Sequence, residues 1–304
     1  MGYKMRILVT GGSGFLGKNL IDHLIDNGYE VINFDLSNND AVNKKATFIK
    51  GDLLDVGTLK KALRNIDAVC HLGGIGDVYL AYTNPALAAM CNVAGTASLY
   101  EAALENKVQR IIYASTWEVY GKPQYNPVDE KHPTNPDHSY NITKYSGEQL
   151  ALFYEKHKGG AKTLVLRLGT AYGRNMRPNS VFSLFINKAM KNEGITIQGD
   201  GKQFRQFIHA MDVAAAFRLA VESKLSGEIL NIVSPEKVTI KQLAEMVAAK
   251  IPTKISFGPA REGDISSSTV SSEKASRLLG WKPAISFEQG LTDLIELFKQ
   301  RSYV

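Results

Sequence analysis

The run Thr10-Gly11-Gly12-Ser13-Gly14-Phe15-Leu16-Gly17 constrains this chain more than any other stretch. Met5 to Val9, just before it, is short, apolar and β-branched, and reads as a fully buried strand. Leu20, Ile21, Leu24 and Ile25 follow at helical spacing up to Asn27-Gly28, a helix stop. A glycine-rich turn between strand and helix brings backbone close to a pyrophosphate and aims the helix N-terminal N–H groups at it. Gly11 then permits the tight turn, Gly14 leaves room for phosphates, and Gly17 lets helix and strand pack closely. Taken alone, the run also fits an ordinary β–α turn. A second strand, Glu30 to Phe34, ends in Asp35, eighteen residues beyond Gly17. A carboxylate there accepts from both hydroxyls of an adenosine ribose and repels a 2′-phosphate, which favours NAD over NADP.

Strand and helix patterns alternate through the first half. Further strands are predicted at Thr47 to Lys50, Ala68 to Leu72, Arg110 to Ser115 and Lys162 to Arg167. Between them come helices at Val56 to Arg64, Asn84 to Asn106 and Ser139 to His157, the last stopped by Gly159-Gly160. This rhythm predicts an α/β fold, a doubly wound parallel sheet of the Rossmann type. Ligands in such sheets bind beyond the carboxyl ends of the strands, where Asp35, Asp52, Gly73-Gly74, Ser115-Thr116 and Thr170 fall. After Arg167 the rhythm is irregular, which predicts a second, smaller α/β substrate domain. The expected division is 1–168 with 206–234 for the cofactor, and 169–205 with 235–304 for the substrate. Thr239-Ile240-Lys241-Gln242 reads as a capping box, and Ser286-Phe287-Glu288-Gln289 as the start of the last helix.

With 304 residues, 44 % of them hydrophobic, the chain has ample material for a large core. Its apolar runs are too short for a membrane span, and its start has no cleavable leader pattern. Cys70 and Cys91 each lie in apolar segments and read as buried thiols in a reducing compartment, so a cytoplasmic location is expected. The net charge of +6 is spread rather than blocked, which argues against nucleic acid and suits an anionic small substrate. No membrane partner and no metal site are expected.

Tyr140 and Lys144, four apart near the start of a long helix, share one face. A neighbouring ammonium is expected to lower the phenol pKa and make Tyr140 a base for a hydroxyl proton. Such a pair is common on solvated helix faces; its place after a dinucleotide-binding half is what gives it weight. Ser115-Thr116-Trp117-Glu118-Val119-Tyr120-Gly121 follows a strand and offers hydroxyls and a carboxylate where a nicotinamide would sit, or is an ordinary turn with polar caps. Asn92, polar among alanines, is either a ligand contact or a structural hydrogen bond.

These motifs together resemble the extended short-chain dehydrogenase/reductase family, in its nucleotide-sugar epimerase/dehydratase branch. The resemblance covers nearly the whole length and also rests on Gly51-Asp52-Leu53, His71-Leu72-Gly73-Gly74, Arg167, Tyr172-Gly173, Gly199 to His209, Arg261-x-Gly263-Asp264 and Leu279-Gly280-Trp281. It implies that Gly11, Gly14, Phe15, Leu16, Gly17, Asp35, Asp52, Leu53, Leu72, Gly73, Asn92, Tyr140 and Lys144 hold NAD. It implies Tyr140 as base, Lys144 on the nicotinamide ribose, and Thr116 on the sugar hydroxyl. Thr116, Thr170, Arg205 and Arg261 would contact the substrate, the arginines near its diphosphate, although surface salt bridging also accounts for arginines.

Four positions depart from the branch. Thr170 stands where an amide often binds diphosphate, Gln206 where an Asp is usual, and Gly73-Gly74 replaces a common Ala pair, a change expected to be sterically harmless. Glu118 matches the residue that takes the C5 proton in 4,6-dehydratases. Trp117 before it has no proton to give a leaving group, which weakens that reaction. The resulting expectation is a UDP-sugar 4-epimerase working through a 4-keto intermediate, as a homodimer. A dehydratase or decarboxylase using Glu118 is the alternative, and a non-catalytic dinucleotide sensor a distant third.

Overall fold

The computed structural model describes residues 4–38, 42–259 and 268–302. Strands β1 (Arg6–Thr10), β2 (Glu30–Asp35), β3 (Thr47–Lys50), β4 (Ala68–His71), β5 (Arg110–Thr116) and β6 (Lys162–Leu168) join the strand Glu228–Ile232 in one parallel sheet. Their spatial order is Glu228–Ile232, β6, β5, β4, β1, β2, β3. The chain leaves β1 toward one edge and returns to β4 on the other side, so the strand order reverses between β1 and β4. A crevice opens at that reversal, beyond the carboxyl ends. Ile7, Leu8 and Val9 of β1 are fully buried because the strand has neighbours on both sides and helices over both faces.

The helices on the first half are α1 (Phe15–Asp26), α2 (Val56–Ala62), α3 (Val78–Thr83), α4 (Pro85–Ala89), α5 (Gly95–Glu105) and α6 (Ser139–Lys158). α1 and the helix Ala210–Glu222 cover one face, where Leu20, Leu24 and Phe217 pack on Ile7, Val9 and Ile112. α2, α5 and α6 cover the other, where Leu59, Leu99 and Ala151 pack with Leu8, Ile111 and Val165. The helix expected over Asn84 to Asn106 is interrupted: α4 and α5 are joined by a π-helical turn, Met90–Ala94. α6 ends as expected, at Gly159 in the left-handed conformation (φ +64°).

The residues after β6 build a third apolar cluster. Tyr172 stacks on Phe182 at 4.9 Å and 5°, and Phe207 on Phe287 at 5.6 Å and 23°. Ile195, Ile197, Leu243, Val247, Leu291 and Ile295 complete it. The Thr239/Gln242 capping box opens the helix Ile240–Lys250 as expected. Trp281 is a tether between segments: its indole N–H donates to the Asp212 carbonyl at 3.0 Å, and the Asp212 carboxylate accepts from the N–H groups of Ala284 and Ile285. Among the described residues, no helix is long and apolar enough to cross a membrane.

Candidate active site

A cleft of about 690 Å³ lies over the carboxyl ends of β1, β2, β4 and β5. That is the size range of small-molecule and cofactor sites. Its walls include Gly11, Gly14, Phe15, Leu16, Gly17, Asp35, Asp52, Leu53, Leu72 and Gly73 at one end, and Thr116, Glu118, Tyr140, Lys144 and Thr170 at the other.

At the first end, Gly11 has φ +68°, and a Cβ there would stand 2.8 Å from the Gly73 backbone. A Cβ on Gly17 would meet the Gly11 carbonyl at 2.2 Å, whereas one on Gly14 would meet only that carbonyl, at 3.1 Å. Two glycines therefore serve chain packing and the third keeps the cleft side open. Gly14 caps α1 without a side chain, which leaves the first-turn N–H groups for an anion. Asp35 stands at the end of β2, its carboxylate accepting from the Ser13 N–H at 3.0 Å and the Ser37 N–H at 3.4 Å. An N–H-lined turn, an open glycine and an anchored carboxylate in one cleft fit a dinucleotide.

At the second end, Thr116 and Glu118 come from β5 and the short 3-10 turn Trp117–Tyr120, where the Glu118 N–H donates to the Thr116 hydroxyl at 3.2 Å. Tyr140 and Lys144 come from the first turns of α6. The Lys144 ammonium lies 4.5 Å from the centroid of the Tyr113 ring, and burial lowers its pKa to about 8 against the pull of the Glu148 carboxylate. Tyr140 differs from expectation. Burial and the Glu118 carboxylate hold its phenol well above the ordinary value, while Thr116 and Arg177 oppose them. Desolvation of the phenol thus outweighs the Thr116 hydrogen bond and the Arg177 charge, and the Lys144 ammonium is not among the groups that lower it.

Under this end lies a buried polar network. Ser115 lines the cleft, but its hydroxyl donates to Glu148 at 2.8 Å; Glu148 in turn takes a two-pronged contact from Arg167 at 2.6 and 3.1 Å. Asn92 does not line the cleft. Its amide accepts from the Ile75 N–H at 2.8 Å and donates to the Ile75 carbonyl and the Thr143 hydroxyl. Of its two readings, this geometry is the structural one: Asn92 ties the loop after β4 to α6. Gly74 has φ +137°, and a Cβ would stand 2.3 Å from Asn92 Oδ1, so the glycine fits here where an alanine would not. Burial holds His71 near 3, as a neutral imidazole between the Thr10 and Thr96 hydroxyls. Cys70 is buried, but Cys91 lies partly open on the cleft wall.

On the substrate side, Thr170 lines the main cleft, while Arg205 lies in a small adjoining pocket shared with Trp117, Gly169 and Thr170. Arg261 lies outside the described residues. Gln206, in the place of the usual Asp, spends its amide on Ser234 and Val270 and braces those segments. Sequence reasoning missed Arg177, which lines the cleft and pairs with Asp77 across its mouth. No local pattern joins residues so far apart; the one available signal was an arginine in the turn before the capping Ser180.

The profile of the NAD dependent epimerase/dehydratase family matches residues 7–233, and the chain belongs to that family. It is an enzyme of the NAD-dependent nucleotide-sugar epimerase/dehydratase class. Human dTDP-D-glucose 4,6-dehydratase is 30% identical over 98% of this chain and 91% of its own. UDP-glucose 4-epimerase of Mycolicibacterium smegmatis is 29% identical over 98% and 100%. The crystal structure of a Thermotoga maritima UDP-glucose 4-epimerase with UDP-glucose superposes with a TM-score of 0.93 at 31% identity, covering 98% of this chain and all of that one.

Proposed function

We propose that this enzyme inverts C4 of a UDP-sugar through a transient 4-keto sugar. The observation that carries this reading is that Tyr140, Lys144 and Thr116 share one cleft with the glycine turn and Asp35. That turn, Asp35, Asp52 and Leu53 would hold NAD, which when bound would supply the hydride acceptor and donor. Tyr140 takes the proton of the 4-hydroxyl and gives it back. Lys144 holds a ribose and, as an ammonium, helps Tyr140 ionise when charge develops. Thr116 orients the same hydroxyl, and Thr170 and Arg205 take the diphosphate side. Residues 1–168 with 206–234 form the cofactor unit in this reading, and 169–205 with 235–304 the substrate unit.

A second reaction has one observation in its favour: the Glu118 carboxylate is on the cleft wall, near enough to act on Tyr140. There it would serve a dehydratase or decarboxylase acting on the same ketone. Incubation with UDP-glucose, UDP-N-acetylglucosamine, UDP-glucuronic acid and dTDP-glucose, read by NMR and mass spectrometry, decides. Unchanged mass with inverted C4 supports epimerisation. Loss of water or carbon dioxide supports the second reaction.

We also propose a homodimer through α4 and α6. Leu87 on α4, Met90 on the π turn that follows it, and Ile142 and Phe153 on α6 are large apolar side chains left 42 to 51% exposed. Leu99, by contrast, is in the core. Light scattering at micromolar concentration tests this; a monomer refutes it.

A further inference from the structure

His138 is the N-cap of α6 and stands two residues before Tyr140. Its imidazole lies nearly parallel to the Tyr140 ring, 13° apart with centroids at 6.2 Å. Its Nε2 is 3.1 Å from Glu118 Oε2, and both side chains are mostly buried, 26 and 20% exposed. The mounting is rigid. The Asn141 amide donates to the Glu118 carbonyl at 3.0 Å and to Asp137 at 2.9 Å, and its Oδ1 accepts from the His138 N–H. The turn carrying Glu118 and the helix start carrying His138 and Tyr140 are therefore locked together. Glu118 opens on the cleft, whereas His138 sits behind it and does not line the cleft.

We infer that His138 is a positioning residue: as an imidazolium it pairs with Glu118, fixes that carboxylate in the cleft wall, and screens its negative charge from Tyr140. The inference rests on Tyr140 being the base. The groups facing the imidazole are Glu118 from the turn, with Asp137 and Tyr140 from its own segment; Arg177, from the loop after Tyr172, acts on Tyr140. The hydrogen bond that His138 donates to the Glu118 carboxylate raises the pKa of His138, with burial opposing, so pairing shifts the imidazole toward its charged form. A bare Glu118 carboxylate makes the phenol harder to ionise, and a neutralised pair relieves that. The pair thereby links the proton affinity of the base to the charge on a residue that never touches the substrate.

Two readouts test this. The first is NMR titration of His138 in the native protein and in Glu118→Gln. It should show the imidazole titrating above the ordinary range and falling back when Glu118 is neutral. The second is the pH profile of kcat. His138→Gln keeps a hydrogen-bond donor but not the charge. It should move the rising limb upward by about one pH unit, as expected of a unit charge about 6 Å away in a partly screened site, with KM changed less than about twofold on the same argument. Glu118→Gln should move the limb downward, and the double variant should match Glu118→Gln, since without the carboxylate the imidazole loses the partner that favours its charge. An unmoved limb in His138→Gln overturns the inference, as does a His138 titration indifferent to Glu118→Gln. If Tyr140→Phe retains turnover, the base assignment has failed and the screening role falls with it. The NMR arm still decides the ion pair, with or without turnover.

Discussion

Gly74, on the cleft wall, packs against Asn92 behind it: a methyl added at Gly74 would fall 2.3 Å from Asn92 Oδ1. The same oxygen accepts the Ile75 N–H, and the same amide reaches Thr143 on α6. Gly74→Ala strains a φ of +137° and displaces a buried amide. It should lower stability by about 1–3 kcal/mol and weaken NAD binding through the adjacent Gly73. Urea denaturation and a cofactor titration measure both. Wild-type stability would show that the loop repacks freely.

Tyr140→Phe should cost about 10² or more in turnover, because the proton acceptor is lost while the ring is kept. NAD should still bind, since the glycine turn and Asp35 lie at the other end of the cleft. Near-normal activity in the folded variant would remove Tyr140 from the mechanism.

Asp35 sets cofactor choice. Its carboxylate is held by the Ser13 N–H, and the following residues Leu36, Ser37, Asn38 and Asn39 carry no cation to meet a 2′-phosphate. NAD should bind at least ~10²-fold more tightly than NADP, a difference of about 2.7 kcal/mol. Asp35→Ala should narrow the gap mainly by weakening NAD. Calorimetric titration with both cofactors reads this directly, and equal affinities in the native protein would refute it.

Glu148 and Arg167 form a buried ion pair, with Ser115 as a third partner. Glu148→Gln leaves the guanidinium poorly compensated and should cost about 3–5 kcal/mol. Replacing both, as Glu148→Leu with Arg167→Met, should cost less than Glu148→Gln alone, because no charge is then stranded. Denaturation midpoints of the two variants provide the comparison.

Lys144 gives a pH dependence with a definite sign. Its pKa is about 8 in the fold and about 10.4 in an unfolded chain, so between these values the unfolded chain binds more protons. Unfolding free energy from this group therefore rises with pH from about 8 to about 10.4, and the cost of the buried cation is fully present below about 8. Lys144→Met should be more stable than the parent at pH 7, with the advantage shrinking toward pH 10. Denaturant melts without NAD at the two pH values test it; a gap independent of pH contradicts the burial argument.

The sequence by itself determined what depends on short-range geometry. A strand, a glycine turn, a helix and a second strand follow in order, so Gly11, Gly14, Gly17 and Asp35 could be assigned to one end of a cleft from spacing alone. Tyr140 and Lys144 were legible because four residues make one helical turn. Tertiary structure decided the rest. Asn92 became a brace because a π turn aims it at Ile75, and Ser115 turned to Glu148 because α6 packs over β5. His138 met Glu118 across 20 residues, and Arg177 met Asp77 across 100. Arg205 fell into the adjoining pocket through its place beside Gly169 and Thr170. These contacts follow from the parallel register of the sheet and from how its long connections return. That register joins residues at no repeating interval, whereas helix and turn geometry recur at intervals a single sequence can display.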